Sequence, residues 1–158
     1  MRLPLFAFGT LRDSDVLEAV LERPASEVDR VPALLRDHRV ARLPDESYPV
    51  LIRSPGDQVE GLLLRGLSDR DFHRIDFFEN SEYRLERCRV ELADAQYVDA
   101  VYCSEGTTAA GRREPWSLEH WQRTEKAEFI QVVRRYMGLF GSLSAEEADS
   151  EWIKWKSQ

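Results

Sequence analysis

The strongest constraint on the fold is a six-residue apolar run, Leu3 to Phe8, that stops at Gly9-Thr10. A short run of this kind reads as a buried first strand. Asp13-Ser14-Asp15 follows, with capping oxygens and negative charge suited to a helix start. Val16, Leu17, Val20 and Leu21 then recur at helical spacing until Pro24 ends the pattern. The chain therefore opens as strand, tight turn and helix, with Gly9-Thr10-Leu11-Arg12 at the junction.

Val31 to Leu43 reads as one strand and Tyr48 to Arg53 as another. Ser54-Pro55-Gly56-Asp57 is a strong turn signal, because Pro presets one backbone angle and Gly supplies the next. Val59 to Leu64 is apolar apart from Glu60 and reads as a strand covered on both faces, so a hairpin is expected around that turn. Ser68-Asp69-Arg70-Asp71 resembles a capping box with Asp in the last place. It introduces a short helix through Phe72, Ile75, Phe77 and Phe78 that ends near Glu79-Asn80. Tyr83 to Leu92 and Tyr97 to Cys103 form a second expected hairpin, in which Cys88, Val90 and Leu92 alternate with Arg87, Arg89 and Glu91.

Beyond the polar stretch from Ser104 to Glu114, Ser117 caps a long expected helix reaching about Phe140, with Gly141 as terminator. Phe129, Val132, Val133, Tyr136, Met137 and Phe140 form its apolar stripe. Ser144-Ala145-Glu146-Glu147 caps a last short helix carrying Trp152 and Trp155. All four tryptophans stand at or after Trp116, so the C-terminal third reads as a helical cover. Early strands capped by helices define an α+β chain whose sheet curls into a small barrel.

Its length of 158 residues suits a single domain over 1–158, with a barrel core at about 3–103 and a helical extension at about 115–156. Hydrophobic residues make up 42% and charged residues 32%, enough to bury a core and stay soluble. The net charge of −7 and the lack of a basic run argue against nucleic acid and anionic lipid as partners. No apolar run approaches the ~20 residues that a membrane helix needs. Met1-Arg2-Leu3-Pro4-Leu5-Phe6 is too quickly interrupted for a signal peptide, and Cys88 and Cys103 do not make a secreted disulfide framework. A cytoplasmic, soluble protein is the expectation; a monomer and a homodimer both fit the sequence.

Two segments could carry chemistry. In Phe6-Ala7-Phe8-Gly9-Thr10-Leu11-Arg12, the glycine lets backbone approach a ligand, and the N–H groups after it suit a carboxylate or phosphate. The same glycine also serves a turn with no ligand. In Ile75-Asp76-Phe77-Phe78-Glu79-Asn80, desolvation by two phenylalanines could raise the Glu79 carboxyl toward the range of a general base. A solvated glutamate at a helix end is the other reading. His38, His73 and His120 are scattered without metal-ligand spacing. Cys88, beside Arg87 and Arg89, is either an activated thiol or, more simply, a small core residue.

Taken together, the segments resemble the γ-glutamylcyclotransferase-like family, which includes the γ-glutamylamine cyclotransferases. That family opens with a strand ending in Tyr-Gly-Ser or Tyr-Gly-Thr-Leu-Arg, matched by Phe8-Gly9-Thr10-Leu11-Arg12. A middle turn like Ser54-Pro55-Gly56-Asp57 precedes a strand with a glycine, matched by Val59-Glu60-Gly61. A helix ending Leu-Asp-x-x-Glu-Gly comes later, matched by Ile75-Asp76-Phe77-Phe78-Glu79-Asn80, and then Tyr83-Arg84. Order and spacing agree over roughly residues 3 to 103.

The resemblance implies a mixed barrel of about five or six strands flanked by helices. It also implies a reaction: a γ-glutamyl amide or peptide closes on itself to 5-oxoproline and expels an amine or amino acid. Such an enzyme, an acyltransferase or lyase, needs no metal and no cofactor. Glu79 matches the family's catalytic glutamate. The backbone at Phe8, Gly9, Thr10 and Leu11 matches the loop that holds the substrate carboxylate, and Tyr83 the pocket wall. Phe8 and Asn80 depart from the usual tyrosine and glycine. The alternatives to an enzyme are a binding module for a small acidic metabolite and an accessory domain that docks on a partner protein.

Overall fold

The computed structural model describes residues 3–42, 49–79, 84–104 and 114–156. The elements run β1 (Leu5–Ala7), α1 (Ser14–Leu21), β2 (Asp29–Arg42), β3 (Pro49–Arg65), α2 (Asp69–Glu79), β4 (Arg84–Leu92), β5 (Tyr97–Ser104), β6 (Glu114–Pro115), α3 (Leu118–Thr124), α4 (Lys126–Met137) and α5 (Ala145–Lys156). Strand order β3-β1-β5-β4-β2 closes through a β2–β3 pairing into a five-stranded barrel, and β6 extends β2 at its far end. The expected α+β barrel is present. It is mixed because β1 runs antiparallel to β3 and parallel to β5, with Leu5 opposite Val101.

The apolar opening run has a simple cause: β1 is buried on both sides. Phe6 and Phe8 join Ala33, Leu35, Val59, Leu63, Val90 and Ala100 in the barrel interior. Leu5 and Ala7 point the other way, into a larger cluster built from α1, α2, α3 and α4. Its centre is Val16, Leu17, Val20 and Leu21, the four periodic positions of α1, all fully buried. Helix starts follow their side chains. Asp13 accepts from the N–H groups of Asp15 and Val16 at 2.9 and 3.2 Å. The capping box at α2 closes with Ser68 and Asp71 exchanging bonds of 2.9 and 3.1 Å. Ser144 and Glu147 do the same for α5.

Two expectations need correction. Ser54-Pro55-Gly56-Asp57 does not reverse the chain, because both flanks pair with the same strand: Gln58 with Arg36 and Arg53 with His38. The four residues form an excursion within β3. It is held by the Gly56 N–H donating to Asp37 at 3.0 Å, with Asp37 at φ 62° and Gly56 at φ 89°. The hairpin partners are instead β2 and β3, antiparallel up to Arg42 opposite Pro49. The long C-terminal helix is also two helices, α3 and α4, broken at Glu125 with φ −126° and ψ −20°. Thr124 donates back to the His120 carbonyl at 2.8 Å, a bond that bends helices. Gln122 before the break and Lys126 after it both reach Asp13, at 2.8 and 2.9 Å. Both helices are thereby anchored to the start of α1. The β4–β5 hairpin forms as expected, with Cys88, Val90 and Leu92 turned inward. No helix among the described residues is long and apolar enough to cross a membrane.

Candidate active site

The turn after β1 is one tight loop: the Arg12 N–H donates to the Gly9 carbonyl at 3.1 Å and the Asp13 N–H to Thr10 at 3.0 Å. These bonds use the later donors and leave the Thr10 and Leu11 N–H groups outside the turn's own ladder. Glycine is needed here for space. A Cβ on Gly9 would lie 2.5 Å from the Pro49 ring at the start of β3. Thr10 and Leu11 are both buried. Phe8 sits on the barrel side, its ring edge-on to Tyr102 at 6.3 Å, whereas Leu11 joins the helical side. The half-buried Arg12 guanidinium is pushed down by desolvation, partly offset by the negative charge of Glu60.

Asp13 also keeps a lowered carboxyl pKa. Burial works to raise it, but bonds from Gln122, Lys126 and the Val16 N–H outweigh that. It is a cap and an anchor rather than a proton carrier.

Glu79 closes α2 and is half-buried. Burial pushes its carboxyl up to about 8, and no cation among the described residues counters the shift. The surroundings explain this. Phe77 is buried against Tyr136 and Phe140, at 4.9 and 5.4 Å between ring centres. Phe78 meets Phe129 edge-on at 6.4 Å, and Phe129 meets Trp121 at 5.2 Å. Apolar rings on α3 and α4 thus strip water from the end of α2.

Cys103 relates Glu79 to the opening turn. Its thiol is raised by burial first and then by the charges of Glu79 and Asp76, so it lies within reach of both carboxylates. Because Val101 pairs with Leu5 in parallel, Cys103 stands level with Ala7, one strand away. Glu79 is thus within electrostatic range of the end of β5, the strand that pairs with β1. Tyr83 and Asn80 lie outside the described residues. Cys103 is the neighbour that the sequence reading passed over; the signal for it was the register of the second hairpin, which turns Cys103 away from the interior. Cys88 points inward and its thiol is pushed up to about 11 by burial and by Asp99, a core residue rather than an activated nucleophile.

Known proteins share this fold. The model of the family described as gamma-glutamyl cyclotransferase, AIG2-like, matches residues 5–123. Among curated relatives, AIG2-like protein C of Arabidopsis thaliana is 26% identical over 135 residues, covering 84% of this chain and 77% of that protein. Protein AIG2 B of the same plant is 28% identical over 138 residues, covering 84% and 78%. A solution structure of an Arabidopsis thaliana protein superposes with a TM-score of 0.63 at 22% identity, covering 89% of this chain and 84% of that one. A structure of a gamma-glutamyl cyclotransferase superposes with a TM-score of 0.51 at 15% identity, covering 71% and 68%. These superpositions speak to the fold. The family match runs through α3 and ends before α4. On that match, over three-quarters of its length, the chain belongs to the AIG2-like gamma-glutamyl cyclotransferase family.

Proposed function

We propose that the protein cyclises a γ-glutamyl amide or peptide to 5-oxoproline, with Glu79 as the general base. The observation that carries this reading is the desolvated Glu79 carboxyl, raised to about 8, within electrostatic range of the end of β5. That value is close to the ~8 of an α-amino group, so a proton moves between substrate and base with little driving force in either direction. The substrate binds with its α-ammonium against Glu79 and its α-carboxylate on the N–H groups around Thr10 and Leu11. Glu79 takes a proton from the ammonium, and the freed amine attacks the γ-carbonyl carbon of the same molecule. The tetrahedral intermediate collapses with cleavage of the original C–N bond; the proton held by Glu79 and the surplus proton of the ring nitrogen both go to the departing amine, which leaves as an ammonium, and Glu79 returns to the carboxylate. Ring closure is intramolecular, so holding the substrate folded supplies much of the acceleration.

The deciding experiment is a mass-spectrometric screen for 5-oxoproline released from γ-glutamyl amino acids, γ-glutamyl amines and glutathione. Wild type is expected to release it and Glu79→Gln to release none, because the amide keeps the shape and lacks the base. Equal activity in the variant assigns the proton to another group. No release from any substrate by wild type turns the assignment to a binding module for a small acid.

A further inference from the structure

We infer that Tyr136 on α4 is a positioning residue for Glu79, so that a helix beyond the family match helps to set the active-site geometry. The inference rests on the reading of Glu79 as the base. A helix leaves its last four carbonyls without internal partners, and for α2 these include the Phe77 carbonyl. The Tyr136 hydroxyl donates to it at 2.8 Å, within a buried contact. The Phe77 and Tyr136 rings also pack together, tilted by 37° with centres 4.9 Å apart. The bond thus fixes the backbone two residues before Glu79, in the turn from which its side chain leaves.

Other clamps hold α2 further upstream. Arg23 pairs with Asp71 at 2.7 Å, and Arg74 donates to the Val20 carbonyl at 2.6 Å. Those contacts fix the first and middle turns; Tyr136 acts on the last. Among the described residues, Cys103 from β5 and Asp76 on α2 itself are the titratable groups tied electrostatically to the Glu79 side, and the Tyr136 phenol from α4 lies at the Phe77 carbonyl. The Arg74 guanidinium is engaged elsewhere, with Glu22 at 3.2 Å and over the Phe140 ring at 4.9 Å. Release of the last turn therefore changes both where the Glu79 carboxyl stands and how far it is shielded from water.

The test is Tyr136→Phe in the full chain, which keeps the ring and removes only the hydroxyl. Misplacing a catalytic group by about 1 Å costs up to ~100-fold, so kcat is expected to fall about tenfold or more while KM stays within about twofold. Independently of turnover, carbon-13 carboxyl NMR follows the Glu79 titration, which is expected to move from about 8 toward the ordinary carboxylate value. A variant with reduced thermal stability but unchanged kcat and unchanged Glu79 titration overturns the inference, because packing alone then explains Tyr136. If wild type releases no 5-oxoproline, the proposed reaction fails, and the NMR titration still decides the positioning role. If Tyr136→Phe does not fold, 3-fluorotyrosine at position 136 keeps a donor of altered strength. It too must shift the Glu79 titration, and an unmoved titration overturns the inference.

Discussion

Glu79 pays a desolvation cost that can be read in two independent ways. Its carboxyl lies at about 8 in the folded chain against an ordinary 4.5. Below the lower value the group is protonated in both folded and unfolded chains and costs nothing. As pH rises from 4.5 toward 8 the unfolded chain loses its proton while the folded chain retains it, so stability falls across that window. Glu79→Gln is neutral throughout. Its melting temperature is expected to match wild type near pH 4 and to exceed it increasingly up to about pH 8, followed by calorimetry. Turnover has the opposite trend over that window: kcat/KM of wild type is expected to rise with pH toward about 8 as Glu79 ionises, and to fall above it as the substrate ammonium loses its own proton. A flat profile over that range, or a Glu79→Gln chain that loses stability at alkaline pH, contradicts the assignment.

At the scale of elements, two glycines set how closely strands and turns approach. A Cβ on Gly61 of β3 would lie 2.5 Å from the Ala7 carbonyl and 2.7 Å from the Phe6 ring. One of these obstacles is backbone and the other a fully buried core ring. Gly9 meets only the Pro49 ring. Both Gly→Ala changes overpack a tight site, a class of change that costs typically about 1–3 kcal/mol. Gly61→Ala is expected at or above the top of that range and Gly9→Ala below it, measured by urea unfolding. Reversal of that order would mean that the strand separation around Gly61 yields more readily than the turn.

The same scale shows what was legible from the chain. α1 and α2 were readable because each carries its own period and its own cap, Asp13 or the Ser68–Asp71 pair; the β4–β5 hairpin was readable from the alternation of β4, and β1 from an apolar run closed by Gly9. The role of Ser54-Pro55-Gly56-Asp57 was not, because its local chemistry suits a reversal and an excursion equally; only the pairing of both flanks with β2 decides. The break at Glu125 was hidden for a related reason. An unbroken apolar stripe hides the pull of Asp13 on Gln122 and Lys126 from more than a hundred residues away. At the candidate site, the motif residues Gly9 and Glu79 were visible, while Cys103 and Tyr136 meet Glu79 and its helix through tertiary packing alone.

For the whole molecule, the question is whether the helices beyond the family match are an appendage or part of the core. Phe129, Ile130, Val133, Tyr136 and Met137 of α4 belong to the same buried cluster as β1 and α1. A chain cut after Thr124 is expected to lose cooperative urea unfolding and to bind a hydrophobic dye, since Leu17 and Leu21 then face water. A cut chain that unfolds at the wild-type midpoint would make α4 dispensable. The parallel pairing of Leu5 with Val101 has a consequence for synthesis on the ribosome. The first strand to emerge finds its neighbour on one side, β3, well before β5 exists. The barrel stays an open sheet with an unpaired edge until about a hundred residues have left the exit tunnel. That waiting interval, rather than the finished fold, is when the Leu3–Phe8 segment is most exposed to pairing with the wrong chain.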